Sequence, residues 1–237
     1  MSPGQQDRLD GYSWLVNDDP AQVRAMPVVL RIEKAEPPLR TPLLEAAAAA
    51  AVAVYLDERA APGGEWHEPM KLWVDGRIRK VSRRARGAHW TAVQELPGLT
   101  IEVEGAQARA LVPGPVDELP KIVSRLQVGG TDLPVDEPDA AQAGVPVLWV
   151  NPTVPMTLGK IAAQVGHGTM LLADALREYG RADLLDLWKN MDHRTAVRTP
   201  NRADWVTLLR SPDAISVRDG GFTEVAPGTI TVLATWP

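Results

Sequence analysis

The chain of 237 residues contains no cysteine. Disulfides, thiolate nucleophiles and zinc sites built on Cys are excluded, and an intracellular, reducing, cytoplasmic setting is the natural expectation. Histidine is almost as scarce. His67, His89, His167 and His193 are scattered with no pair at ligand spacing, so no metal is expected. Long apolar runs are missing too. The longest candidate, Leu43 to Leu56, carries Glu45 in its first turn and falls short of the roughly 18–20 residues a membrane span needs. It reads as a buried helix of a soluble protein, and no membrane partner is expected. An excess of positive charge is also absent. Lys plus Arg number 25 against 30 Asp plus Glu, a net charge of -5, which argues against a chain that is basic throughout but leaves room for a local patch. Phe occurs once against eight Trp, and Trp149, Trp205 and Trp236 sit in or beside core patterns, as packing residues do.

What is present is repetition. His89–Gly114 aligns with Asp204–Gly228: Trp90 falls on Trp205, Pro97 on Pro212, the alternating LTIEV on AISV, and LVPG on VAPG. Upstream, each copy has an apolar run (PVVLRIE from Pro27, PVLWVNP from Pro146), then a long Ala-rich helical pattern, then a short basic strand candidate (RIRKVSRR from Arg77, RTAVRT from Arg194). The reading is two tandem copies of one β-α-β-α-β-β unit. Strands alternating with helices point to an α/β fold, and the short turn before the last strand makes that pair antiparallel. The expectation is therefore a three-layer α/β/α unit with a mixed four-stranded sheet, present twice and packed as a pseudo-dimer within a monomer. The boundaries are an N-terminal arm at 1–25, pinned by Trp14 and Leu15, a first unit at 26–128, a linker at 129–144 and a second unit at 145–237. DELPKIVSRLQ, ahead of the linker, has helical spacing.

The two copies serve as controls for each other. GKIAAQVGH places Lys160, Gln164 and His167 on one stripe of a helix, where the first copy has TPLLEAAAAAAVAVY. Asp219 and Thr223 correspond in the same alignment to Glu104 and Ala108. A purely structural need would have applied to both copies, so the polar set of the second points to function. The Gly-x-x-x-x-Gly-Lys-Ser/Thr of a phosphate loop is absent around Lys160, and nucleotide chemistry is not indicated.

GKIAAQVGHGT followed by DGGFTEVAPGTITVLA resembles the class II peptidyl-tRNA hydrolases, over Val145 to Pro237. The resemblance implies a mixed four-stranded sheet between helices, hydrolysis of the ester linking a peptide to the 3′ end of tRNA, and no metal or other cofactor. It carries the functional positions onto Lys160, Gln164, Asp219 and Thr223, with His167 supporting. Asp219 would then be the base for water, held by the Thr223 hydroxyl, Lys160 would meet the oxyanion or a phosphate, and Gln164 would position substrate. Where the family has a basic residue inside the turn, this chain has Phe222, and Gly221 is a second glycine expected to loosen that turn. The first copy offers a counterweight: Arg77, Arg79, Lys80, Arg83, Arg84 and Arg86 form a basic patch that would clamp tRNA phosphates, with Trp90 or His89 stacking on a base. The competing reading is a weak or inactive relative that binds tRNA or a protein partner through the same scaffold.

Overall fold

The computed structural model describes residues 23–236. Trp14, Leu15 and most of the expected arm lie outside the described residues.

In the N-terminal half, β1 (Arg24–Arg31), α1 (Arg40–Leu56), α2 (His67–Asp75), β2 (Arg79–Ala85), α3 (Gly87–Val93), β3 (Gly98–Val103) and β4 (Ala106–Leu111) follow in order. The two-residue β5 (Gly114–Pro115) and one-turn α4 (Lys121–Ser124) close that half. The C-terminal half repeats the plan with β6 (Val147–Val150), α5 (Leu158–Glu178), α6 (Ala182–Asn190), β7 (Ala196–Arg198), α7 (Arg202–Leu208), β8 (Ile215–Arg218) and β9 (Ile230–Thr235). The first sheet runs β2-β1-β4-β3 and the second β7-β6-β9-β8; the first is five-stranded and not four-stranded as expected, because β5 adds to β1 beside β4. In each, the first pair in that order is parallel and the remaining pairs are antiparallel, so both sheets are mixed as expected.

Three further expectations change. Each half has two helices, not one, between its parallel strands. The second helix is anchored by a fully buried Trp whose indole donates to a carbonyl six residues on, Trp73 to Arg79 and Trp188 to Arg194, each at 2.9 Å. DELPKIVSRLQ yields only the single turn α4, because Pro120 disfavours helical backbone at Leu119 before it and Gln127 is drawn into a β-bridge with Arg84 after it. The residue-by-residue match of the halves also ends at β3 and β8. LVPG of the first half begins on the last residue of β4, whereas VAPG of the second precedes β9, so Ala108 is a buried strand residue paired with Leu30 and has no equivalence to Thr223. The first half crosses from β3 to β4 through Glu104 and Gly105 alone, and the second uses residues 219–229 for the same step.

The halves share one core. Met26, Val28 and Leu30 of the first sheet, the Ala46–Ala51 run, α5, and Leu148, Val217 and Val232 of the second sheet belong to a single buried cluster. The Ala run is fully buried because α1 lies between its own sheet and α5, a place for small side chains on all sides. Thr169 Oγ1 donates to the Ala48 carbonyl at 3.2 Å, and a Cβ on Gly166 would stand 3.1 Å from Ala51 Cβ. On the far face of the first sheet, Trp90 and Val93 of α3 pack with Val29, Leu111 and Val123. Trp90 is thus a core residue and does not stack on a base. The segment 129–144 has no regular secondary structure but is tied down: Asp136 accepts from the Thr41 N–H at 2.9 Å at the start of α1, and Arg198 donates to the Asp139 carbonyl at 2.7 Å.

Candidate active site

Thr157 caps α5, its hydroxyl accepting from the Lys160 N–H at 3.2 Å. The helix then carries Lys160 and Gln164 on successive turns toward the β8–β9 connection. There Asp219 is 6% exposed, and three donors converge on its carboxylate: Lys160 Nζ on Oδ2 at 2.5 Å, Gln164 Nε2 on Oδ2 at 2.8 Å, and the Gly221 N–H on Oδ1 at 2.8 Å. An ionised carboxylate accepts at about four positions, so one direction remains for a further proton. Thr223 does not hold Asp219; its hydroxyl lies 3.3 Å from Lys160 Nζ and takes up part of that ammonium instead. The buried Thr231 hydroxyl donates to Gln164 Oε1, which turns the amide so that its NH2 faces Asp219. Thr231 was not singled out by the motif because a strand Thr reads as ordinary β-former.

Gly221 tightens the turn instead of loosening it. Its φ is +74°, and a Cβ there would sit 2.3 Å from Pro227 Cγ. Glu224 fastens the same loop to the helix, its carboxylate accepting from Thr157 N–H at 2.9 Å and Thr157 Oγ1 at 2.8 Å.

His167, one turn beyond Gln164, faces the other half. Its Nδ1 lies 3.2 Å from Nζ of Lys80 on β2. Burial, then the Lys80 and Lys160 charges, holds the imidazole well below the usual histidine range, so it is neutral near pH 7. The cleft around these groups, about 480 Å³, is walled by both halves: Arg77, Arg79, Lys80 and Ser82 on one side, Lys160, Gln164, Asp219 and Thr223 on the other. At its lip Phe222 is 60% exposed, with the Arg79 guanidinium 4.4 Å and that of Arg77 5.5 Å from the ring centre.

The expected basic patch therefore divides. Arg77, Arg79 and Lys80 reach the cleft. Arg83 donates to the Leu126 carbonyl at 2.9 Å, and Arg84 to Gln127 at 2.8 Å, so both hold the segment after α4. Arg86 is exposed beyond them, as is His89.

A family model described as "Peptidyl-tRNA hydrolase PTH2" matches residues 145–237. The peptidyl-tRNA hydrolase of Thermoplasma acidophilum is 33% identical over 97 residues, 38% of this chain and 82% of the relative. The chain belongs to the PTH2 family. Peptidyl-tRNA hydrolases of Thermoplasma volcanium and Thermococcus onnurineus are each 30% identical over 98 residues, 38% of this chain and 82% and 81% of those proteins. All three alignments cover 38% of the chain, so the N-terminal half is additional to the part shared with these PTH2 relatives. Among the described residues there is no His, Asp and Glu group able to hold a metal and no helix long and apolar enough to cross a membrane.

Proposed function

We propose that the chain hydrolyses the ester between a peptide and the 3′ end of a tRNA, with the chemistry in the unit at 145–237. The observation that carries this is the convergence of Lys160, Gln164 and Thr223 around Asp219 at one wall of a cleft. In this reading the free direction on Asp219 orients and deprotonates water. The ester carbonyl becomes an oxyanion within reach of Lys160, near the positive end of α5, and Gln164 positions the reacting groups. The neutral His167 supports the helix face and carries no proton in the reaction. The relatives' names agree with this activity over the C-terminal half.

On the same reading, 26–128 is a degenerate tandem copy joined through 129–144, and the chain is a cytoplasmic monomer with an internal pseudo-dimer. The identical strand orders support it. Arg77, Arg79, Lys80 and Arg86 would meet tRNA phosphates, with Arg83 and Arg84 acting by holding the segment behind them. The alternative, a binding module without turnover, rests on Phe222 standing where a basic residue is expected. The Arg79 and Arg77 guanidinium groups stand against that ring. Turnover of N-acetyl-aminoacyl-tRNA by the wild type, Asp219→Asn and Lys160→Ala separates the two. Cleavage by the wild type that both variants lose supports the hydrolase. No cleavage above background, with tRNA still bound, leaves the binding module. Arg77→Ala with Arg79→Ala should flatten the salt dependence of tRNA binding by about one unit of slope for each phosphate that is no longer neutralised.

A further inference from the structure

Lys80 is an expensive residue for a protein to bury. It is 8% exposed, its stem runs through a notch that exists because residue 166 is glycine, where a Cβ would stand 3.1 Å from Lys80 Cδ, and its Nζ lies 4.9 Å from the centre of the Trp73 ring. Among the described residues no carboxylate pairs with it. Asp174 acts on it only through space, being occupied by the Tyr55 hydroxyl at 2.6 Å and Arg177 at 3.3 Å. The neutral His167 Nδ1 satisfies one of three ammonium protons. A buried amine of this kind is costly to keep charged unless a ligand completes it.

Two residues along the same strand face stands Ser82, 5% exposed, whose Oγ is buried with no hydrogen-bond partner. Its Cβ lies 3.6 Å from where a side chain on Gly159 would begin, beside the first turn of α5. Both residues line the cleft. Lys160 across it is already committed to Asp219 and Thr223.

We propose that Lys80 and Ser82 form an anion subsite in the cleft that binds a phosphodiester oxyanion of the nucleic-acid ligand, supplied by the N-terminal half to a reaction carried out by the other. The ammonium brings charge and two unused donors, the hydroxyl one more, and the neighbouring helix start adds its dipole. The assignment rests on the hydrolase reading only for the identity of the whole ligand.

Calorimetric binding of a dinucleotide monophosphate and, separately, of inorganic phosphate tests it on the full chain. Lys80→Met, which keeps a stem for the Gly166 notch, should weaken dinucleotide binding by about tenfold, and Ser82→Ala by a few fold, while Lys121→Met, at an exposed lysine outside the cleft, leaves it within about twofold. Unchanged affinity in both Lys80→Met and Ser82→Ala overturns the subsite even if ester turnover is intact. Lys80-dependent binding in a protein without turnover keeps the subsite and removes the hydrolase reading. Loss confined to inorganic phosphate overturns the nucleic-acid source. Burial pushes the Lys80 amine well below the usual lysine range, Asp174 on α5 opposes this through space, and the other groups around it are the neutral His167, on which Lys160 also acts, and Arg79 on its own strand. Dinucleotide affinity should therefore fall as pH rises through the Lys80 pKa of the complex, because the phosphodiester itself does not titrate near neutrality. Should Lys80→Met fail to fold, NMR of the wild-type Lys80 Nζ decides the same question: its pKa rises with dinucleotide, and an unmoved pKa sinks the proposal.

Discussion

Helices α1 and α5 occupy matching places in two sheets of identical strand order, and they meet through reciprocal contacts. Yet α1 is Ala almost throughout its middle, and α5 carries Lys160, Gln164 and His167 along its first three turns. The place in the fold asks only for small, helix-favouring side chains. The outer corners differ in the same sense. Where α1 meets β7, Glu45 Oε1 accepts from the Val197 N–H at 3.0 Å and Arg198 at 2.7 Å, a closed ion pair that fills the corner. Where α5 meets β2, Lys80 faces a neutral imidazole and the space is a cleft. One corner is finished as structure, and the other is left electrostatically incomplete.

Breaking that contrast at its functional end should have the largest effect. Lys160→Met with Asp219→Asn removes both buried charges together and leaves neither unpaired, so the protein should melt near the wild-type temperature while turnover of N-acetyl-aminoacyl-tRNA drops by about a hundredfold to ten-thousandfold. A double variant that retains wild-type rates would sever the site from the chemistry. Glu45→Ala attacks the closed corner. It strands Arg198, 18% exposed, and should cost about 3–5 kcal/mol in denaturant unfolding without changing the rate per folded molecule.

The hairpins sharpen the comparison further. Gly221→Ala forces a Cβ onto Pro227 at positive φ and should cost about 1–3 kcal/mol, with kcat falling because Asp219 loses its Gly221 anchor. Gly105→Ala, at φ +80° but facing open space, should cost about 1 kcal/mol and leave kcat alone. Equal effects on kcat would show that the long loop does not position the carboxylate. The smallest effect concerns pH. The folded pKa of His167 is depressed, so below the ordinary value of about 6.5 the unfolded chain takes up a proton that the folded one refuses. Stability is undiminished by this group above that value and declines as pH falls beneath it. His167→Gln should melt with a weaker loss between about pH 7.5 and 5.5 than the wild type, and an identical pH dependence would show that the imidazole is not held neutral.

Much of this was legible in one dimension. The mixed sheet, the α/β class and the segregation of polar groups into GKIAAQVGH and DGGFT follow from periodicity and from comparing the halves, because those signals are local and repeat. The second helix of each half was hidden, since HEPMKLWVD and ADLLDLWKN are short and amphipathic and ride behind much stronger Ala-rich patterns. The end of the internal alignment misled because Pro-Gly marks a turn wherever it occurs and cannot say on which side of a strand it lies. Thr231 and Glu224 were invisible as site residues, one in a strand and one in a loop, because their partners Gln164 and Thr157 are distant in sequence.

By itself the sequence determined the chemistry on offer: no thiols, scattered His, a Lys-Gln-His helix stripe, an Asp-Gly-Gly turn and a separate run of arginines. Tertiary structure alone decided how these are used. Strand β2 is an edge strand of the first sheet that packs on α5 of the second half, so its first residues, Arg79 to Ser82, line the cleft, while Arg83 and Arg84 further along hold the segment after α4. Which basic residue meets the site is set by how far along the edge strand it lies and by the packing of two sheets through one core, and neither is written in the run of arginines.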